Sequence, residues 1–401
     1  MATSMIGLSL QPAPAHVQDD IPRQLLALRN LKLLGMLGQA LQQQGAQWLN
    51  EAVEAIKALD AAKRDHLLLH PSVFVWCEAV RTAEPSGSEW SRLLAEGYRD
   101  IVLPLWLQNG FVASEGQVAL SQNRVGQTYL VRRWVDLPLD VLDDLMTAQL
   151  STDSITLVGA KGNVELERQV LLDSFDEFQE GIALSTDIEL RYDVDSPWLD
   201  RYIPFLSSKE LGMDRDVKVA QDPADEVVAN MRRGAELVKE FWPEMYAELR
   251  GYVRRLVLVE RPAPISFSDF RAHGTTLYAH NPHTPLLWAE WIVHESSHLR
   301  LNAMMSGRPH MLNDMSERYS SPWRQELRPL FGIYHGCFVH VRVMELYKQL
   351  LANSNLYREE LLAELAVKQE QLVKGLAMMR EHGKLTPDGE ELMSLMESYI
   401  Q

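Results

Sequence analysis

The amino-acid sequence predicts an α+β fold that is predominantly α-helical, with a small and mainly antiparallel sheet. It also predicts a metal-binding helix packed against a second site helix. Three observations favour this class. Apolar residues recur every three or four positions over most of the chain, as in helices. Between about residues 116 and 204 the period shortens towards two, as in strands. A His-Glu-x-x-His motif at 294–298 puts two imidazoles on one helical face.

The composition is that of an ordinary globular protein. The chain has 401 residues, of which 46% are hydrophobic and 23% charged, which suffices for two or three packed units. A net charge of -16 argues against nucleic acid or an anionic membrane as partner, and it is compatible with a basic peptide or protein substrate. Cys77 and Cys337 are far apart, which argues against a disulfide framework and a Cys-rich zinc site.

The first 20 residues do not have the pattern of a secretory signal. They contain Pro12 and Pro14 but no Lys or Arg, so the basic region and the apolar core of such a signal are missing. No apolar run in the chain reaches the roughly 18 residues that a membrane-spanning helix needs. We therefore expect a cytoplasmic protein.

Three regions are predicted along the chain. Residues 1–115 form a helical N-terminal region, residues 116–205 a β-rich middle region, and residues 206–401 a helical domain that carries the metal site. The helical periods cover 23–41, 48–59 and 223–258. The predicted strands lie at 128–131, 154–158, 182–184 and 190–192 in the middle region, and at 265–267 and 275–278 ahead of the motif.

The motif lies in a segment with clear helix start and stop signals. Thr284 and Pro285 can form the cap and first turn, no Pro or Gly interrupts 286–306, and Gly307 follows where a helix would end. One stripe of residues at helical spacing is predicted to be the buried face of this helix. It consists of Leu287, Trp291, His294, His298, Leu301 and Met305.

His294 and His298 are the first candidate metal ligands. A single histidine on an apolar face is more often a core residue that is hydrogen-bonded to the backbone. Two histidines at positions i and i+4, with Glu295 between them, favour a metal site instead. Two protein ligands alone make a weak site, so the sequence must supply a third.

A second helix, predicted from Leu330 to about Leu351, offers the third ligand. It carries His335, His340 and Glu345, and the connection before it contains Glu317 and Glu326. A carboxylate would complete a metal coordination sphere like that of zinc peptidases, whereas a histidine would give a metal site with three histidine ligands on one face. His335 is the preferred candidate, with His340 and a carboxylate as alternatives. Because His335 and His340 are five positions apart, they point in different directions and are not expected to bind one ion.

Small residues and arginines surround the preferred third ligand. Gly332 and Gly336 flank His335 and would let another helix approach closely. Arg324 and Arg328 precede it, and a guanidinium is suited to binding a carboxylate through two parallel hydrogen bonds. A keto-acid cosubstrate would require such a group. The alternative is a surface ion pair with a nearby acid, for instance Glu326 or Asp314.

These residues together resemble a known family. The run 294–303, His-Glu-Ser-Ser-His-Leu-Arg-Leu-Asn-Ala, is followed by Tyr-Ser-Ser-Pro-Trp-Arg at 319–324 and by Arg-Pro-Leu-Phe-Gly-Ile-Tyr-His at 328–335. This pattern is similar to that of the bacterial HExxH-motif peptide-modification proteins. The resemblance is specific over about residues 266–347 and looser upstream. It does not extend to the β-rich middle region.

The resemblance implies an activity and a set of roles. Members of the family are described as iron(II)- and 2-oxoglutarate-dependent peptide β-hydroxylases of ribosomal peptide natural product pathways. His294, His298 and His335 then correspond to iron ligands, and Arg324 and Arg328 to basic positions whose role in binding 2-oxoglutarate is our inference. The cosubstrates would be 2-oxoglutarate and O2, and the partner a precursor peptide.

Glu295 separates the function hypotheses. In a hydroxylase it has no obligatory role as a base and can orient a ligand or the helix. In the alternative, a zinc(II)-dependent peptidase, Glu295 is the catalytic residue that activates the bound water. A third hypothesis is a non-catalytic protein that binds a precursor peptide, and the three intact histidines count against it. No nucleic acid or membrane partner is expected, and a homo-oligomer is left open.

Overall fold

The computed structural model describes most of the chain. It covers residues 9–12, 20–114, 117–119, 145–159, 162–174, 182–185, 188–193, 198–206, 217–260, 266–281 and 283–400. Within these ranges the protein is predominantly helical and contains a small antiparallel sheet, which confirms this part of the predicted fold class. The strand predicted at 128–131 lies outside the described residues. None of the helices in these ranges has the length and apolar character to cross a bilayer.

Fourteen α-helices are present in the described part of the chain. Six belong to the N-terminal region, and the last four follow one another without an intervening strand. They are α1 (Ile21–Leu41), α2 (Gln47–Ala58), α3 (Ala61–Leu68), α4 (Pro71–Thr82), α5 (Gly87–Gly97), α6 (Leu103–Asn109), α7 (Arg168–Ser174), α8 (Leu199–Leu206), α9 (Asp225–Phe241), α10 (Pro243–Tyr252), α11 (Pro285–Gly307), α12 (Leu330–Asn353), α13 (Arg358–His382) and α14 (Pro387–Ile400).

The described strands form two sheets. The first is antiparallel with the order β1-β2-β3-β4, and the second is mixed with the order β5-β6-β8-β10-β9 and with β7 paired to β8. In the second sheet β6, β8 and β10 run parallel. The strands are β1 (Gln117–Ala119), β2 (Leu145–Leu150), β3 (Ser154–Gly159), β4 (Gly162–Glu167), β5 (Ile182–Ser185), β6 (Ile188–Asp193), β7 (Lys218–Val219), β8 (Arg255–Glu260), β9 (Ser266–Ser268) and β10 (Thr275–Ala279).

The second sheet corrects one expectation about secondary structure. The helical period predicted for 223–258 ends with α10, and residues 255–258 belong to β8. β8 is buried on both faces, so its sequence is a continuous apolar run without the alternation that marks a half-exposed strand. The sheet also joins strands on both sides of residue 205, because β5 and β6 lie in the same sheet as β8 and β10.

Helix α11 occupies the centre of the molecule. Thr284 caps it by accepting a hydrogen bond from the backbone N–H of Leu287 (3.3 Å), and the helix ends at Gly307, which confirms both predicted limits. Arg300 on α11 donates to Asp20 ahead of α1 and to the hydroxyl of Tyr252 on α10 (2.7 Å). This buried ion pair therefore ties the motif helix to the start of the N-terminal helices.

A close approach between α9 and α11 depends on Gly234. A Cβ atom added there would lie 2.6 Å from Trp288 Cβ and 2.8 Å from the backbone nitrogen of Ala289. We expect Gly234→Ala to lower the free energy of unfolding by about 1–3 kcal/mol, because the helices must separate. Gly35→Ala in α1 is the control: its nearest neighbour is 3.9 Å away, so it should be neutral or slightly stabilising. Equal effects in urea unfolding would contradict this prediction.

Candidate metal centre

The motif histidines lie on the partly open side of α11. Of the six residues in the stripe predicted to be buried, all except Leu301 are only partly buried, and 27% of the His294 side chain is exposed. The other sides of the helix carry fully buried residues such as Trp288, Ile292 and Leu299. The predicted burial of the stripe is therefore wrong. Because α11 is apolar on nearly all sides and is surrounded by α1, α9, α12 and the second sheet, apolar periodicity could not identify the side left open.

Helix α12 brings His335 against the motif. The ring centroids of His294 and His298 are 5.0 Å apart, and those of His298 and His335 are 5.2 Å apart with nearly parallel planes. The Nδ1 atoms of His298 and His335 are 3.0 Å apart, although the residues are separated by 37 positions in the sequence. The three preferred ligand candidates thus form one continuous row of imidazoles.

His340 lies at the other end of this row. Its ring centroid is 6.1 Å from that of His294. Its Nδ1 donates a hydrogen bond to the backbone oxygen of Gly336 (2.8 Å), and its ring stacks on Trp323 at 4.6 Å. His335 and His340 therefore contact different histidines of the motif, in keeping with their spacing of five positions.

Two of the acidic candidates make contacts elsewhere. The carboxylate of Glu317 accepts a hydrogen bond from the hydroxyl of Tyr319 (2.7 Å) within the connection between α11 and α12. Glu345 accepts one from the side chain of Gln349 (2.8 Å) on its own helix. Glu326 is exposed in the connection. The structure thus places a histidine, and none of these three acids, in contact with His298.

Burial keeps the imidazoles neutral. Loss of hydration, together with the positive charges of Arg328 and Arg324, lowers the pKa of His298 to about 4. Burial also holds the pKa values of His294 and His335 well below the ordinary value. At neutral pH these rings carry free lone pairs. This is the form of histidine that binds metals.

Glu295 points away from solvent, behind the histidine row. Its side chain is 1% exposed, and its Oε1 is 4.0 Å from Nε2 of His294. Burial raises the pKa of its carboxyl to about 7, while the nearby hydroxyls of Ser266 and Ser268 on β9 partly counter this shift. Its Oε2 has no hydrogen-bond partner in the described part of the chain. The carboxyl therefore lies between the histidines and the second sheet.

The raised pKa of Glu295 predicts a pH dependence of stability. The group has a pKa of about 7 when folded and an ordinary value of 4.5. The folded state therefore holds this proton more tightly, and its stabilising contribution is lost as pH rises from about 4.5 to 7. The loss is on the order of 3 kcal/mol for metal-free protein. Glu295→Gln, which cannot ionise, should flatten this part of the unfolding curve against pH. Identical curves for both proteins would exclude the effect.

Arg324 and Arg328 lie at the opening of the site. Both are exposed, and neither makes an ion pair or hydrogen bond through its guanidinium within the described ranges. No carboxylate lies within ion-pair distance of either guanidinium there, but Glu326 is near enough for its negative charge to counter part of the lowering of the pKa of Arg328 by burial and by Arg324. Arg324 lies close enough for its charge to lower the pKa of His294 and of Glu295. Two cations with no carboxylate in direct contact within the described ranges thus lie near the histidine row, and this arrangement suits a carboxylate ligand.

The histidines of the row have the donor chemistry of a metal site. No group of three His, Cys, Asp or Glu side chains within the described residues already converges on one point. The donor chemistry nevertheless fits, because burial keeps the imidazoles of His298 and His335 neutral and therefore able to bind a metal. Two nitrogens about 2.1 Å from one ion and at right angles to each other lie about 3 Å apart. The Nδ1 atoms of His298 and His335 have this separation.

Sequence reasoning missed three residues that surround the row. Trp323 lies within the segment that resembles the family, but its stacking on His340 had no signal in periodicity. Ser266 and Ser268 belong to a predicted strand, and nothing in the sequence indicated that they face Glu295. Their alternation in β9, with one residue between them, was the available signal, since it puts both side chains on one face.

Comparisons with known proteins identify no family. No protein-family model matches the chain, and no curated protein matches it. The family resemblance therefore depends on the residues quoted above.

Proposed function

We propose that this chain is an iron(II)- and 2-oxoglutarate-dependent dioxygenase that β-hydroxylates a residue of a ribosomally made precursor peptide in the cytoplasm. The observation that carries the proposal is the row formed by His294, His298 and His335, close to two arginines whose guanidinium groups contact no carboxylate directly in the described ranges. A keto-acid cosubstrate needs both a metal and a cation for its distal carboxylate. Hydrolysis of a peptide needs no such pair of cations.

The residues have distinct roles in this proposal. His294, His298 and His335 would hold the iron, and the second helix α12 contributes the last of them. Bound iron(II) would supply oxygen activation, so that O2 and 2-oxoglutarate are converted with peptide C–H into peptide C–OH, succinate and carbon dioxide. Arg324 and Arg328 would bind the carboxylate of the cosubstrate that does not contact the metal. The partly open side of α11 would admit the peptide.

Glu295 acts as a positioning residue in this scheme. Its carboxyl is buried between the motif and β9, with a side chain only 1% exposed. Contact with Ser266 and Ser268 would hold α11 against the second sheet and so orient His294. A general base in a peptidase must instead reach a water in the open part of the site.

An anaerobic titration of metal-free protein tests the proposal without a peptide. Iron(II) and 2-oxoglutarate are added in turn, and the weak visible charge-transfer band of a keto acid chelated to iron is recorded. We expect a band only when both are present. Arg328→Ala should require more 2-oxoglutarate to produce it. A protein that gives no band with iron(II), and instead binds one zinc(II) tightly, would contradict the proposal.

One observation favours the peptidase as second candidate. Burial raises the pKa of Glu295 to about 7, which suits a general base, and its Oε1 is 4.0 Å from His294. Glu295→Gln should abolish peptide cleavage by a zinc enzyme. The same change should leave a hydroxylase with much of its turnover of 2-oxoglutarate, so the two candidates predict different results for one variant.

A further inference from the structure

The connection between α11 and α12 is anchored by one aromatic ring. The side chain of Trp323 is inserted where two glycines leave space, Gly336 on α12 and Gly375 on α13. A Cβ atom added at either glycine would lie 2.5 Å from an atom of the indole ring. The glycines of α12 were predicted to let another helix approach closely. At Gly336 the space is instead filled by the ring of Trp323, and a Cβ atom added at Gly332 would lie 3.6 Å from Cδ of Arg328.

The ring of Trp323 is also held on one face. It stacks on the imidazole of His340, with centroids 4.6 Å apart and planes inclined by 29°. His340 cannot easily turn, because its Nδ1 donates to the backbone oxygen of Gly336 at 2.8 Å. The indole therefore contacts two helices and a fixed imidazole at once.

The residues around Trp323 form a loop that is closed at its base. The backbone of Tyr319 pairs with that of Arg328 through two hydrogen bonds, of 2.8 and 2.9 Å. Between them residues 324–327 are exposed. Trp323 is thus the inward anchor of a loop whose outer part carries Arg324, and it immediately precedes that arginine in the sequence.

We propose that Trp323 is a positioning residue: its ring, seated between Gly336 and Gly375 and stacked on His340, holds the 319–328 loop so that Arg324 faces the histidine row. The effect of Trp323 on the binding of 2-oxoglutarate rests on the proposed function, whereas its anchoring of the loop does not. When a carboxylate binds to an arginine, an ordered loop loses less conformational entropy than a mobile loop does. Removing the anchor should therefore weaken cosubstrate binding without removing a metal ligand.

Limited proteolysis of the metal-free protein tests the anchoring. Trypsin can cut after Arg324, which precedes Gln325, whereas Pro329 protects the bond after Arg328. We expect Trp323→Ala to speed cleavage after Arg324 by about tenfold or more, because the exposed loop gains freedom. Gly375→Ala should do the same from a different helix, because its Cβ would lie 2.5 Å from the indole ring as well as 2.9 Å from Sγ of Cys337 on α12. Trp323→Phe should have a smaller effect. Leu327→Ala, at a side chain that is 61% exposed in the same loop, is the matched control and should match wild type.

The second measurement is the charge-transfer titration with the same variants. Iron(II) affinity should stay at the wild-type level, while the half-saturating concentration of 2-oxoglutarate should rise by about tenfold in Trp323→Ala and in Gly375→Ala. Trp323→Phe should recover part of the affinity. A global loss of structure would lower iron(II) affinity and the thermal midpoint as well, so these serve as checks on folding.

The outcomes separate this inference from the proposed function. Suppose that the wild-type protein gives the charge-transfer band. If Trp323→Ala and Gly375→Ala then show the wild-type rate of trypsin cleavage and the wild-type affinity for 2-oxoglutarate, the positioning role is overturned. If wild type gives no band, the cosubstrate role falls with the proposed function. The trypsin result then decides by itself whether Trp323 anchors the loop.

Discussion

Replacing His298 with alanine is expected to abolish stoichiometric binding of iron(II) and all turnover. His298 is the middle member of the row, in contact with His294 on its own helix and with His335 on α12. Its loss removes one candidate ligand and also the imidazole that contacts both His294 and His335. Removing only an outer partner of a metal ligand can lower affinity about 10–100-fold, so removing this ligand should cost at least about a hundredfold. Metal content after dialysis and anaerobic titration measure the effect.

Two controls make the His298→Ala result specific. His382→Ala changes a partly exposed histidine at the end of α13, remote from the row in the sequence, and should retain metal. The thermal midpoint of metal-free His298→Ala should stay close to that of metal-free wild type, because its ring is only partly buried. Retention of stoichiometric iron(II) by His298→Ala would remove the histidine row as the metal site.

Glu248→Ala is expected to cause the largest loss of stability. Glu248 on α10 forms an ion pair of 2.8 Å with Arg342 on α12, and both side chains are completely buried. Arg342 also lies over the ring of Phe338, with its guanidinium carbon 5.5 Å from the ring centroid. Breaking a buried pair from one side leaves an uncompensated charge and costs about 3–5 kcal/mol. Equilibrium unfolding in urea should show this loss, and expression of folded protein should fall.

The control for this prediction is an exposed pair of the same kind. Lys374 and Glu370 are 2.6 Å apart on α13, but their side chains are 63% and 70% exposed. Glu370→Ala should therefore leave the unfolding curve unchanged, since water and salt screen such pairs. If Glu248→Ala had as little effect as Glu370→Ala, the Glu248–Arg342 pair would not be a buried ion pair in solution.

Local sequence signals were sufficient for the helices of the site. The cap at Thr284, the end at Gly307 and the helix that begins at Leu330 were all predicted, because capping and helical periodicity depend on neighbours within a few positions. The same spacing placed His294 and His298 on one face. The strand β8 was predicted as helix, since a run that is buried on both faces has no alternation to reveal it.

Local signals in the sequence were enough to predict the predominantly helical class, the limits of α11 and the two histidines on one of its faces. The open side of α11, the contact between His335 and His298, and the insertion of Trp323 between two glycines depend on how the helices pack. These contacts join residues that are far apart along the chain. Contacts across 37 or more positions depend on how several helices pack together, and the local pattern of apolar residues does not specify that packing.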